Sequence, residues 1–77
     1  MKAFHMIRQH DTSKVSGIGH VLDGIIFDDG KTVVKWRGDK SSIGIFNEFR
    51  DFLAVHVDSH PENETKIIWL TMKEEPT

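Results

Sequence analysis

The sequence predicts a mainly β fold, either a small SH3-like antiparallel barrel or a curved sheet with one short helix, and three observations carry that reading. Residues 25–38, IIFDDGKTVVKWRG, join two β-prone apolar runs through Asp-Asp-Gly. Further β-prone segments lie on both sides of this hairpin, and only the stretch around Phe49 changes to a helical period. At 77 residues the chain is expected to be a single small β domain, with a core over about residues 3–71 and a flexible tail over 72–77.

The first segment, KAFHMIRQH, sets Phe4, Met6 and Arg8 against Ala3, His5 and Ile7 and reads as a short strand. After the polar loop DTSK, the two glycines of VSGIG suit a sharp bend or bulge leading into the next strand, from about His20 to Phe27. Asp28 and Asp29 suit the centre of a type I turn, and Gly30 the left-handed position that closes it as a bulge. That turn sets Phe27 opposite Lys31, and counting back pairs Ile26 with Thr32, Gly24 with Val34, Asp23 with Lys35 and Leu22 with Trp36. One face then carries Leu22, Ile26, Val34 and Trp36; the other mixes Val21, Ile25, Phe27 and Val33 with Asp23, Lys31, Lys35 and Arg37.

Gly38-Asp39-Lys40 turns the chain into a third meander strand over Ser41 to Phe46. Phe49, Phe52 and Leu53 then fall at i, i+3 and i+4, which predicts one or two helical turns with Asn47 as the N-cap and Glu48 in the first turn. Ala54 to Val57 reads as extended, SHPENE as a solvated loop, and Thr65 to Thr71 as the closing strand. In a barrel the first and last strands would pair and protect their edges.

Composition selects no partner by itself. Ten basic and twelve acidic residues leave a formal charge of −2, neither the positive excess of a typical nucleic-acid binder nor a densely negative surface. With no cysteine, neither disulfides nor thiolate zinc can staple the fold, so its five Phe, two Trp and aliphatic residues must form the core. No apolar run approaches the roughly eighteen residues that span a bilayer, and a soluble cytoplasmic protein without a membrane partner is the expectation.

The pattern VSGIGHVLDGIIFDDGKTVVKWRG, followed by the Ser41-Ser42 strand, AVHVDSH and KIIWL, resembles a family of short bacterial, archaeal and phage proteins that share V-S-G-x-G, F-x-D-G, W, V-H and W-L elements. The resemblance covers about Val15 to Leu70. Its elements are glycines, turn residues and core aromatics, so it implies a shared fold. It supplies no activity and no functional residue.

Candidate sites follow from spacing. His56, Asp58 and His60 alternate in VHVDSHP; on an extended segment they would point the same way, as nitrogen and oxygen ligands of a divalent metal require, with Glu62 or Glu64 as a fourth. Pro61 and the polar surroundings favour a solvated loop, so neither metal nor other cofactor is expected. The VSGIG glycines lack the following helix that a phosphate loop needs. Ser13, Ser16, Ser41, Ser42 and Ser59 sit in no nucleophile elbow, and a barrel this small leaves little room for a substrate, so a non-enzymatic protein is expected.

The apolar residues outside the core are harder to dismiss. With Leu22, Ile26, Val34, Trp36 and Trp69 inside, Val21, Ile25, Phe27 and Val33 need a cover, supplied by the helix or by another chain. The expected function is a protein-interaction module, its partner a foreign protein or a second copy in a homodimer, with Ile25, Phe27, Val33, Lys35 and Arg37 as contacts and Phe27 as the anchor. The alternative is a single-stranded nucleic-acid binder using Lys31, Lys35 and Arg37.

Overall fold

The computed structural model describes residues 1–10 and 18–70. The expectations for residues 15–17 of VSGIG and for the tail at 72–77 lie outside them. Strands β1 (Lys2–Arg8), β2 (Gly19–Ile26), β3 (Thr32–Trp36), β4 (Ile43–Phe46) and β5 (Thr65–Leu70) and a short helix α1 (Phe49–Leu53) make up the fold. All neighbouring strands are antiparallel, in the order β4-β3-β2-β1-β5. The first and last strands do pair, but β4 and β5 lie at opposite edges, so the sheet is open and the barrel expectation is corrected to its open-sheet alternative. α1 fills one face of the sheet, and a closed barrel would need that space.

The hairpin register is the one its turn chemistry dictates. Gly30 has φ 94° and donates its N–H to the Phe27 carbonyl at 2.8 Å, while Phe27 N donates to the Lys31 carbonyl at 2.8 Å. Asp29 Oδ1 accepts the Lys31 N–H at 2.9 Å, and Leu22 faces Trp36, Asp23 Lys35, Gly24 Val34 and Ile26 Thr32. Downstream, β4 begins at Ile43 rather than Ser41, because Ser41 Oγ and the Ser42 carbonyl are used to close the turn onto Trp36.

One position departs from the expected alternation. Between β1 and β2 the register slips, with Met6 opposite Leu22 but Ile7 opposite His20, so Val21 is an extra residue in a β-bulge. Val21 is therefore buried in the core and not on the outer face with Ile25 and Val33.

That core is Phe4, Met6, Val21, Leu22, Val34 and Phe52, with Ile26, Trp36, Phe46, Phe49, Leu53, Val57 and Ile67 packed around it. Each such side chain removed from water contributes about 1.5–3 kcal/mol. Phe4 stands at the centre, its ring 5.2 Å from Phe49, 5.7 Å from Phe52 and 5.7 Å from Trp69. Trp69 itself is half exposed, capping this cluster at the sheet edge rather than filling an interior.

The helix keeps the predicted Phe49, Phe52, Leu53 stripe, but its cap is Glu48, not Asn47, with extended φ −141° and no side-chain capping bond. Glu48 instead pairs with Arg50. The expected return to extended structure is also corrected: Ala54–Asp58 form a π-helical turn that continues the helix, closed by Ser59 Oγ donating to the Ala54 carbonyl. The alternating Val55 and Val57 carry a strand signal, but packing overrides it, since the helical turn brings Val57 and the His56 ring back to the core. A 3₁₀ turn, Pro61–Asn63, then leads into β5, with the Asn63 carbonyl accepting the Gln9 and His10 N–H groups.

Gly24 faces Phe4 across β1 and β2, and a Cβ there would lie 2.1 Å from Phe4 Cζ. The ring is held on its other sides by Phe49, Phe52 and Trp69. Gly24→Ala is expected to cost about 2–3 kcal/mol by overpacking. Gly44→Ala, where the nearest atoms are at an ordinary 3.4 Å, should cost well under half of that. Urea unfolding of the two variants checks the difference.

Candidate functional site

α1 covers the face bearing Phe4, Leu22 and Val34, and among the described residues no element is layered on the opposite face of the sheet. Because side chains alternate along every strand, the register writes that outer face as two cross-strand rows. The first runs Ile43, Lys35, Asp23, His5, Ile68; the second runs Ile45, Val33, Ile25, Ala3, Leu70. The second row is apolar across all five strands, a stripe about 19 Å long at the usual ~4.8 Å strand spacing. Ile43 and Ile45 on the edge strand β4 are 66% and 68% exposed, and Ile25, Ile68 and Leu70 are also exposed.

A trough of about 470 Å³ follows this stripe, lined by Ala3, Ile25, Val33, Ile43 and Leu70, with Lys35, Arg37, His5 and Asp23 beside them. The small Ala3 between Ile25 and Leu70 leaves the depression. Of the five contacts expected from the sequence, Ile25, Val33, Lys35 and Arg37 are brought together here. Phe27 is not: it lines a separate hollow with Met1, Lys2, Ile26, Phe49 and Trp69, beyond the end of β2. Its exclusion corrects the expectation that Phe27 anchors this surface.

Sequence reasoning missed Ala3, Ile43, Ile45, Ile68 and Leu70. The alternations Ile43-Gly44-Ile45-Phe46 and Ile67-Ile68-Trp69-Leu70 carry the signal, but assigning them to a face needs the β1–β5 and β3–β4 registers.

Next to the stripe, Asp23 gathers three basic side chains. Its Oδ1 lies 2.6 Å from His5 Nδ1 and 2.7 Å from His20 Nε2, and its Oδ2 lies 3.8 Å from Arg37 Nη1. Lys35 is its register partner, yet these ion pairs go to the histidines and Arg37. Burial raises the Asp23 carboxyl, but hydrogen bonds from His20 and His5 and the electrostatic attraction of those rings outweigh it and hold the group below its ordinary value. Arg37 Nη1, 3.2 Å from His20 Nδ1, can only donate, so Nδ1 accepts and Nε2 carries the proton given to Asp23.

The His56, Asp58, His60 set is not assembled. These residues lie on and just after the π-helical turn, where alternate positions do not share a direction, and no metal-ligand group among the described residues includes them. The His56 ring packs edge-on to Trp36 at 5.1 Å and near Phe52 at 5.5 Å, while His60 pairs with Glu62. Burial, and then the charges of Arg8 and His60, lower the His56 pKa below its ordinary 6.5.

The profile of the family described as Acb5 phage protein matches residues 1–71, so the chain belongs to that phage protein family. The match agrees with the phage part of the sequence resemblance and extends it over β1. No curated protein and no solved structure matches the chain.

The His56 environment sets a pH dependence. The folded state holds this ring neutral below the unfolded value of 6.5, so its contribution is complete above that pH and is lost as pH falls through the folded value. Thermal melts from pH 7 to pH 5 should show a steeper loss of Tm for the parent than for His56→Phe. Parallel slopes would remove His56 as the cause.

Proposed function

We propose that this phage protein is a non-enzymatic interaction module that docks a partner protein on the outer face of its sheet. The observation that carries the reading is the row Ile45, Val33, Ile25, Ala3, Leu70, apolar across every strand and uncovered by the chain's own helix. Monomeric proteins rarely leave such a continuous apolar stripe in water. Its last member on β4 also borders an open strand edge, to which a partner strand can add backbone hydrogen bonds.

The charges beside the stripe select the occupant. Lys35, Arg37 and Lys66 occupy this side of the sheet, and among the described strand residues there the one carboxylate, Asp23, is already engaged by His5, His20 and Arg37. A second copy packed face to face would bring like charges together. The fitting partner is a foreign protein with an apolar patch flanked by carboxylates. A single-strand binder would want aromatic stacking platforms beside these basic groups. Here the stripe is aliphatic, Trp36 and Trp69 belong to the helix-covered face, and Phe27 lies in its own hollow.

The test is capture from a lysate of the phage's host by immobilised parent, Ile45→Asp and Lys35→Glu, with and without nuclease, alongside sedimentation of the free protein. Ile45 is so exposed that Ile45→Asp should shift stability by no more than about 0.5 kcal/mol. The expected result is a monomer whose nuclease-resistant partner is lost at least tenfold on Ile45→Asp, and weakened by Lys35→Glu chiefly at low salt. Retention of the partner by Ile45→Asp, loss on nuclease treatment, or a stable dimer dispersed by Ile45→Asp would overturn the reading.

A further inference from the structure

His5, His20 and Asp23 form a compact group of metal-type donors, and it lies apart from the segment whose spacing suggested a metal. All three ligand atoms fall within 4.8 Å of one another, on two neighbouring strands fixed by the β1–β2 register. We infer that His5 Nδ1, His20 Nε2 and Asp23 Oδ1 form a binding site for one late first-row divalent cation, zinc being the type. The donors are two imidazole nitrogens and one carboxylate oxygen, a set that suits zinc, nickel or cobalt better than magnesium or calcium, which prefer all-oxygen shells.

The two contacts of the carboxylate are already shorter than the donor spacing of a coordination shell. Zinc sits about 2.0–2.2 Å from nitrogen and oxygen ligands, so neighbouring donors in a tetrahedral shell stand about 3.3 Å apart. The present contacts of Asp23 Oδ1 to His5 Nδ1 and His20 Nε2 are 2.6 and 2.7 Å. The carboxylate must therefore withdraw by roughly half an ångström to admit the ion. The three side chains are 29–45% exposed, which leaves the remaining coordination positions open to water. Two features of the backbone hold the ligands together. The bulge at Val21 brings His20 onto the side of Asp23, and cross-strand pairing places His5 opposite Asp23.

Binding replaces the protons now shared with Asp23. The ion takes the lone pairs of His5 Nδ1 and His20 Nε2, and each neutral ring carries its proton on the other nitrogen. For His20 that nitrogen is Nδ1, which now accepts from Arg37 Nη1 at 3.2 Å. The two donors would then face each other, so the half-exposed Arg37 side chain must turn away. Arg37 thus acts as a competitor for the site, as a charge and as a hydrogen-bond donor to the wrong tautomer.

Thermal melts and calorimetric titrations of the whole chain with zinc chloride, together with cobalt(II) absorption, test the site. The parent should bind one ion per chain and melt higher with it. Asp23→Asn, His5→Gln and His20→Gln should each weaken binding at least tenfold and lose the cobalt spectrum. Arg37→Ala should bind several-fold tighter, and His60→Gln should bind as the parent does. Absence of binding by the folded parent, an unchanged response in the three ligand variants, or loss of binding in Arg37→Ala would overturn the site. The cobalt spectrum reports the ligand set directly, whichever partner occupies the apolar stripe.

Discussion

The structure depends on one close approach: the ring of Phe4 lying over Gly24. Gly24 is the only residue type that leaves room there, and the space it leaves is filled by an aromatic side chain from the neighbouring strand. With its ring laid across the sheet, Phe4 offers its remaining sides to Phe49, Phe52 and Trp69, so one residue joins β1, β2, α1 and β5. Strands bring Phe4 and Gly24 opposite each other by hydrogen-bond register; the helix is then held by rings, since its cap has no side-chain bond and its five residues are too few to persist alone.

This arrangement decides which face is covered. The described residues supply one short helical layer, and the aromatic cluster fixes it on the side of Leu22, Val34 and Trp36. No second layer exists among the described residues for the other side, where the strands are nonetheless mostly aliphatic. A sheet with one solvated face ordinarily alternates apolar and polar residues. Here β1, β2 and β3 approach that rule in the row containing Lys35, Asp23 and His5, while the adjacent row breaks it from edge to edge. The departure is unbroken only in that stripe, and Ile43 and Ile68 extend it into the polar row at the two sheet edges.

Legibility in the sequence followed the range of the interactions. The hairpin register was readable because Asp28, Asp29 and Gly30 encode it within a few residues, and every pair from Ile26 and Thr32 back to Leu22 and Trp36 follows from that turn. The alternation of Phe4, Met6 and Arg8 was readable for the same local reason. Val21 was misplaced because a bulge is set by how β2 meets β1, not by β2 itself. Val55 and Val57 look like strand residues, and only the tertiary demand for Val57 and His56 in the core makes the segment helical. The candidate site divided in the same way: Ile25, Val33, Lys35 and Arg37 came from the hairpin, whereas Ala3, Ile43, Ile45, Ile68 and Leu70 needed pairings between distant segments. His5 and Asp23 are eighteen positions apart, beyond any spacing rule.

The two rows also constrain each other. Asp23 sits beside Ile25 on the same strand and, left unengaged, would place a free carboxylate against an apolar stripe flanked by lysines. His5, His20 and Arg37 absorb that charge, so the field presented by this side is set by Lys35, Lys66 and the basic groups gathered around Asp23. Removing the carboxylate would leave two imidazoles and a guanidinium crowded without a counter-charge, and moving Arg37 aside frees it to reach across the trough it already lines. The polar row therefore sets the charge next to the apolar one, and Arg37 belongs to both, in contact with Asp23 and His20 while lining the trough.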